Sequence, residues 1–203
     1  MKHRFTVLIA GLAMLSGART ALANDPVPPR TNVEIVSASE DCGGATLHTT
    51  QERGFSVEFP DLAAETSETM LRVRKFCYVQ IKVTVPANVR VLRNAFEVSG
   101  SATIAPGASG SNVSVRYFGQ GDVGSDYYRA FEPEFGAGDF TGASEGAARW
   151  STCRREVRLS LIVDVTARSV AGYPTRTSSV KVKEIKVMGP LHEPCLRPSL
   201  PGE

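Results

Sequence analysis

The chain has 203 residues, 42% of them hydrophobic and 22% charged, which suits one globular domain with a sizeable core and excludes a disordered chain. Its formal net charge is only +2. This near-neutral balance offers no basic excess for nucleic acid or for an anionic membrane, so neither is predicted as a partner.

Residues 1–23 have the features of a secretory signal peptide. Lys2 and Arg4 give a positive start, residues 5–15 form a short apolar core, and Ala21 and Ala23 supply the small residues of a cleavage site. The core is too short to span a bilayer and no later run of about 20 apolar residues occurs, so no transmembrane segment is predicted. Cleavage would take Lys and Arg from 23 to 20 against 21 acidic residues. The sequence therefore predicts a secreted or periplasmic protein.

Proline marks both ends of the remaining chain. Residues 24–32 form a Pro-rich lead-in, and residues 189–203 form a Pro-rich tail. Between them, in residues 33–188, apolar and polar residues alternate repeatedly, which is typical of strands with one buried face. The alternating segments, in chain order, are 33–35, 55–59, 79–85, 89–91, 96–98, 113–117, 157–167 and 180–187.

Turn residues separate these segments, and only residues 61–72 have a helix-like composition. In 180–187 the apolar parity switches at Glu184, which predicts a β-bulge. Many short strands with one polar face favour a single all-β domain, an antiparallel β-sandwich of Greek-key or jelly-roll type. An up-and-down barrel is the structural alternative.

Four cysteines, Cys42, Cys77, Cys153 and Cys195, are predicted to form two disulfides in an exported chain. Cys77 shares the apolar parity of 79–85 and Cys153 that of 157–165, so we expect both to point inward. The predicted pairs are Cys77–Cys153 and Cys42–Cys195, one of three connectivities. The cysteines form no CxxC pair and no cluster with histidine at zinc spacing, so no metal or other cofactor is predicted.

An ordered set of motifs runs along the chain: Cys-Gly-Gly at 42–44, Phe-Ser-Val-Glu-Phe at 55–59, a cysteine before a strand ending in proline at 77–86, Ala-Thr-Ile-Ala-Pro-Gly at 102–107, Val-Arg-Tyr-Phe-Gly at 115–119, and Trp-Ser-Thr-Cys at 150–153. In order and spacing this set resembles a secreted family, domain of unknown function 4360. The resemblance covers roughly residues 33–187 and implies secretion and a β-rich fold, but no catalytic residue. The chain departs from the family pattern at Thr152 in place of proline, at Arg154 in place of glycine, and at Gly43 in place of proline.

Aromatic and acidic residues concentrate among glycines in 117–140. One hypothesis is a ligand surface in which aromatic faces stack on sugar rings and carboxylates bind hydroxyls or Ca²⁺. The alternative is a glycine-rich hairpin whose aromatic rings plug one end of the sandwich. The residues predicted for the ligand surface are Asp122, Asp126, Tyr127, Tyr128 and Phe131.

Catalytic signals are sparse. Only His48 and His192 follow the signal segment, and no recognised nucleophile or metal motif accompanies them. A carboxylate pair such as Glu132 and Glu134 could act as acid and base, but alternating residues share a strand face, whereas glycosidase carboxylates usually lie on separate elements around a cleft. We therefore predict a non-enzymatic binding or structural module, whose partner would be an extracellular glycan or an envelope component. The alternatives are a carbohydrate- or calcium-binding domain and a hydrolase with carboxylate chemistry.

The signal peptide should be cleaved after Ala23, because Ala21 and Ala23 provide the small side chains that a signal peptidase requires. Mass spectrometry of the exported protein should then find Asn24 as the N-terminal residue. A full-length product retained in the cytoplasm would contradict both the export prediction and the oxidising compartment assumed for the disulfides.

Overall fold

The computed structural model describes residues 31–49, 54–93, 95–119, 124–145, 149–151, 153–171, 177–187 and 192–195. The predicted signal peptide, residues 24–30 of the lead-in and most of the tail lie outside these residues. The strands, in chain order, are β1 Asn32–Ala38, β2 Thr46–Thr49, β3 Phe55–Glu58, β4 Ala63–Glu65, β5 Arg72–Thr84, β6 Val89–Arg93, β7 Phe96–Thr103, β8 Ser111–Gly119, β9 Ser125–Phe131, β10 Ala137–Ala143, β11 Arg149–Trp150, β12 Glu156–Arg168, β13 Ser179–Val187 and β14 His192–Pro194.

Two antiparallel sheets form a sandwich, so the predicted fold class is confirmed. The five-stranded sheet has the order β1-β5-β12-β8-β9, and the six-stranded sheet has the order β10-β7-β13-β3-β2, with β4 also paired to β13. A small third sheet, β11-β6-β14, includes residues of the predicted tail. Residues 192–194 of the Pro-rich tail therefore form a strand.

The core lies between the inner faces of the two large sheets, as the alternation predicts. Along β5, Cys77, Val79 and Ile81 are fully buried while the residues between them reach the outer face. Tyr117 of the five-stranded sheet meets Phe55 and Phe96 of the six-stranded sheet edge-on, with ring centroids 6.4 Å and 6.1 Å apart. These aromatic contacts join the two layers at the centre of the core.

The β-bulge predicted in the last long strand is confirmed. The pairing of β13 with β7 shifts register between Val182 and Glu184. Val182 and Ile185 are both buried, although they are three positions apart. The extra residue thus lets both ends of β13 keep their apolar side chains in the core.

Residues 61–72, whose composition looks helical, contain the short strand β4 and no helix. Leu62, Ala64 and Thr66 are buried while Glu65 is exposed, which is the period of a strand. Ala64 lies opposite Val180 of β13. Pairing with the sheet therefore overrides the weak local preference for helix.

The predicted disulfide pairing is wrong: the bonds are Cys42–Cys77 and Cys153–Cys195. Cys42 ends a short 3₁₀ turn, Glu40–Cys42, that follows β1, and β1 pairs with β5. The Cα atoms of Cys42 and Cys77 are consequently only 4.7 Å apart. Cys153 lies outside β12 and is exposed, so strand parity did not fix its direction.

Asp41 fastens the 3₁₀ turn beside β5. Its carboxylate accepts a hydrogen bond from the Phe76 backbone N–H at 3.1 Å and one from Lys75 Nζ at 3.0 Å. These two donors hold the pKa of Asp41 below its usual value, with the backbone donor the larger cause. The turn is therefore held against β5 by hydrogen bonds as well as by the disulfide.

Mild reduction should open the two disulfides at different rates. Their sequence separations of 35 and 42 residues imply similar chain-entropy stabilisation, about 4 kcal/mol each. Cys42 and Cys77 are fully buried, whereas Cys153 is exposed, so dithiothreitol without denaturant should open Cys153–Cys195 roughly ten-fold faster or more. Differential alkylation with peptide mapping would follow each bond. Loss of both bonds at one rate would show that accessibility does not control their reduction.

Candidate functional site

The residues of the ligand surface predicted in 117–140 do not lie on one face of the structure. Tyr127 and Phe131 are buried, with 8% and 1% of their surface exposed, whereas Tyr128 is 67% exposed. Asp122 lies outside the described residues. The hypothesis of one aromatic surface made by Tyr127, Tyr128 and Phe131 is therefore wrong for two of its three rings. Alternation within β9 explains the outcome, because neighbouring residues of a strand face opposite sides.

Phe131 belongs to an aromatic cluster formed by the edge strands β9 and β10 and the turn between them. Its ring centroid lies 5.1 Å from that of Phe135 and 5.0 Å from that of Phe140. The Arg129 guanidinium lies over all three rings at 5.4–5.7 Å, and its Nη1 donates a hydrogen bond to the Thr141 carbonyl at 3.3 Å. These contacts agree with the alternative in which the aromatic rings of this segment plug the sandwich.

Tyr127 is held in the interior by close packing. A Cβ added to Gly142 would lie 2.3 Å from the Tyr127 ring, so only glycine leaves room for the ring there. Burial raises the pKa of Tyr127, and the nearby Arg129 guanidinium partly opposes that rise. A ring enclosed in this way offers no surface to a ligand.

Asp126 forms an ion pair at the outer surface. One of its carboxylate oxygens lies 3.0 Å from Arg116 Nε on the neighbouring strand. Across the described part of the chain, no three His, Cys, Asp or Glu side chains are grouped so that they could hold a metal ion. Within those residues the geometry gives the calcium alternative no support.

Tyr128 projects from the outer face of the five-stranded sheet, where three further aromatic side chains emerge. Phe76 is 46% exposed, and Tyr78 and Phe118 are half-buried. Their inward neighbours along each strand are buried, which fixes their outward direction. We call this the aromatic face; it consists of Phe76, Tyr78, Phe118 and Tyr128.

Strand register sets the arrangement of the aromatic face. One row across the sheet runs from Phe76 through Asp164 and Ser114 to Tyr128. Neighbouring strands are about 4.8 Å apart, so three spacings separate the two ring positions by roughly 14 Å. The next row, from Tyr78 through Ile162 to Arg116 and Asp126, places a half-buried apolar side chain near the centre.

Polar groups lie between the rings and are held in fixed pairs. Arg74 Nε donates to both carboxylate oxygens of Asp164, at 3.0 Å and 2.9 Å. The hydroxyls of Tyr78 and Ser160 are 3.2 Å apart. The aromatic face therefore presents rings, carboxylates, guanidinium groups and hydroxyls side by side.

Sequence reasoning missed this face because its residues come from separate strands. Parity alone indicates that Phe76 and Tyr78 face outward, since Cys77 and Val79 face inward. Parity in 125–131 also shows that Tyr127 and Tyr128 cannot share a face. Which strand lies beside which is set by pairing, and no local pattern reveals that.

The outer face of the six-stranded sheet bears two shallow depressions, of about 330 Å³ and 540 Å³, which share Ser99 and Glu184. Around them, Lys183 Nζ pairs with Asp139 at 2.8 Å. The first depression is lined by Glu97, Val98, Ser99, Thr141, Gly142, Ala143, Glu184 and Lys186. Its lining contains no aromatic ring.

The histidines do not form a catalytic relay among the described residues. His48 is exposed, and its Nε2 lies 3.4 Å from Glu58 Oε2 and 3.4 Å from Thr46 Oγ1. A relay needs the hydroxyl and the carboxylate on opposite ring nitrogens, whereas both meet the same one here. His192 lies in β14, in a different sheet from His48.

Glu132 and Glu134, the example of a carboxylate pair, do not alternate along a strand. Glu132 precedes the 3₁₀ turn Pro133–Phe135, and Glu134 lies within it. Both side chains are exposed. A proline after Glu132 ends β9 and replaces the expected alternation with a turn.

Two neighbouring tyrosines test the inside and outside assignments of β9. Tyr127→Ala should lower the free energy of unfolding by about 3 kcal/mol or more, as large-to-small core substitutions do. Tyr128→Ala should change it by less than about 0.5 kcal/mol, because its ring is 67% exposed. Urea unfolding of both variants measures the difference. Equal losses would contradict the assigned faces.

No curated protein matches this chain. One solved structure that overlaps it is TmCBM61 in complex with β-1,4-galactotriose, at 9% identity and a TM-score of 0.31, covering 81% of this chain and 88% of that one. Another is the family 11 carbohydrate-binding module from Clostridium thermocellum with a β-1,3-1,4-mixed-linked tetrasaccharide, at 8% identity and a TM-score of 0.23, covering 83% and 93%. At such scores neither fold nor function is inferred from the overlap.

The described residues contain no helix that is long and apolar enough to cross a membrane. The family described as "Domain of unknown function (DUF4360)" matches residues 42–188, which is most of the chain. The resemblance in the ordered cysteine, proline and tryptophan motifs is thereby confirmed, and the chain belongs to this family.

Proposed function

We propose that this protein is an exported, non-enzymatic binding module that engages its partner through the aromatic face. The observation that carries the proposal is the exposure of Phe76 and Tyr128, at 46% and 67%, on one face of the five-stranded sheet. Large exposed rings are uncommon on a solvated strand face and are characteristic of binding surfaces.

The disulfides support the compartment. Both bonds lie in the family domain or bordering it, and free cysteines are absent from the described residues. Such bonds persist in oxidising, extracytoplasmic compartments. Together with the predicted signal peptide of residues 1–23, they favour a secreted or periplasmic protein. The proposed partner in that compartment is an extracellular glycan or an envelope component.

A binding role accounts for the surface better than a hydrolase does. The carboxylates nearest to the depressions, Glu58, Glu97 and Glu184, project from an open sheet face rather than from the walls of a cleft. Glycosidase carboxylates flank the bond that they cleave, from opposite sides of a bound sugar. On an open sheet face they have no opposing wall.

Binding to a broad set of probes tests the proposal. The mature protein would be presented with immobilised oligosaccharides, peptides and phospholipid vesicles, and binding followed by interferometry. We expect at least one class to bind and the double variant Phe76→Ala/Tyr128→Ala to weaken it about ten-fold or more. Thr141→Ala, on the outer face of the other sheet, is the matched control and should bind normally.

Two results would contradict the proposed function. One is binding that the double variant leaves unchanged. The other is release of product from an oligosaccharide, lost on Glu184→Gln, which would identify an enzyme on the six-stranded sheet.

A further inference from the structure

We infer that the aromatic face binds a neutral, extended glycan chain laid across the strands of the five-stranded sheet. This inference rests on the proposed function and specifies its ligand. The ligand would lie along the row from Phe76 to Tyr128, crossing β5, β12, β8 and β9.

The spacing of the rings favours an extended ligand. Phe76 and Tyr128 occupy the two ends of one row, roughly 14 Å apart by strand spacing. A single sugar ring cannot reach both positions, whereas a short run of linked sugars can. The flat side of each ring offers an apolar, electron-rich surface to the C–H side of a pyranose ring.

The groups between the rings suit hydroxyls. Asp164 accepts hydrogen bonds, Ser114 both donates and accepts them, and both residues lie in the row between Phe76 and Tyr128. In the adjoining row, Arg116 supplies donors. A sugar hydroxyl is both donor and acceptor, so it can replace the water molecules on either kind of group.

The same polar groups disfavour other partners. The side chain of Asp164 is 19% exposed and is paired with Arg74, so a dry protein interface would have to desolvate an ion pair at its centre. Protein interfaces place a connected apolar core there instead. Here the rings are separated by charged side chains, and Ile162 is half-buried.

Charge argues for a neutral glycan. Two ion pairs beside the row, Arg74–Asp164 and Arg116–Asp126, each balance one positive and one negative group. A neutral ligand needs no unpaired charge on the protein. Binding by stacking and neutral hydrogen bonds should therefore depend little on salt. An acidic polysaccharide attracted by charge would lose affinity steeply as salt rises.

Affinity electrophoresis through gels containing neutral linear polysaccharides tests the inference. The probes are glucan, galactan, mannan and xylan, and the acidic polysaccharide polygalacturonate is included for contrast. We expect retardation in at least one neutral gel, unchanged between about 50 mM and 500 mM salt. Titration calorimetry with its oligosaccharides should show affinity rising until the chain spans both rings.

Variants assign the site. Phe76→Ala and Tyr128→Ala should each weaken binding about ten-fold, with unchanged thermal unfolding, because both rings are exposed. Tyr78→Phe keeps the ring but removes the hydroxyl next to Ser160, and should weaken binding by a smaller factor. Thr141→Ala, on the six-stranded sheet, should bind like the unaltered protein.

The outcomes separate this inference from the proposed function. If no neutral polysaccharide binds but a peptide or vesicle does, and Tyr128→Ala abolishes that binding, the face binds a different ligand and only the inference fails. If a neutral glycan binds and Thr141→Ala alone reduces binding, the glycan site lies on the six-stranded sheet and both fail. Binding only to polygalacturonate, lost at high salt, would also overturn the neutral-glycan assignment.

Discussion

The pairing of β5 with β12 is the constraint on which the rest of the structure depends. Each strand has 13 residues, and they pair without a register shift from Arg72–Arg168 to Thr84–Glu156. This register sends alternate residues of both strands into the core and the others to the outer face. A slip by one residue would place Cys77 outside and Phe76 inside, and would remove both the core and the aromatic face.

Sequence alternation predicts the strands of this sandwich and even the bulge at Glu184, because burial of one face is a local, two-residue pattern. It does not predict which cysteines meet. Cys42 reaches Cys77 because β1 pairs with β5, a contact between segments 35 residues apart. Cys153 differs from the prediction for another reason: β12 begins only at Glu156, so the strand's parity does not extend back to the cysteine.

The candidate site was harder to predict than the fold for the same reason. Aromatic residues are frequent in 117–140, but their frequency does not distinguish rings that pack in the interior from rings that face solvent. Tyr127 and Tyr128 are adjacent in sequence and lie on opposite sides of the sheet. Phe76, by contrast, joins Tyr128 only through the order of four strands, which depends on long-range pairing.

The two faces of a strand have different neighbours, so residues that stabilise the core and residues that face solvent alternate along it. The inward residues of β5, such as Cys77 and Val79, form part of the core. Phe76 and Tyr78 point outward, so substituting them should have little effect on stability. Exposed rings would nevertheless favour aggregation if they formed a continuous apolar patch. The ion pair of Arg74 with Asp164 interrupts that patch. The same ion pair places hydrogen-bonding groups between the rings, which is the arrangement that the proposed hydroxyl-rich ligand would need.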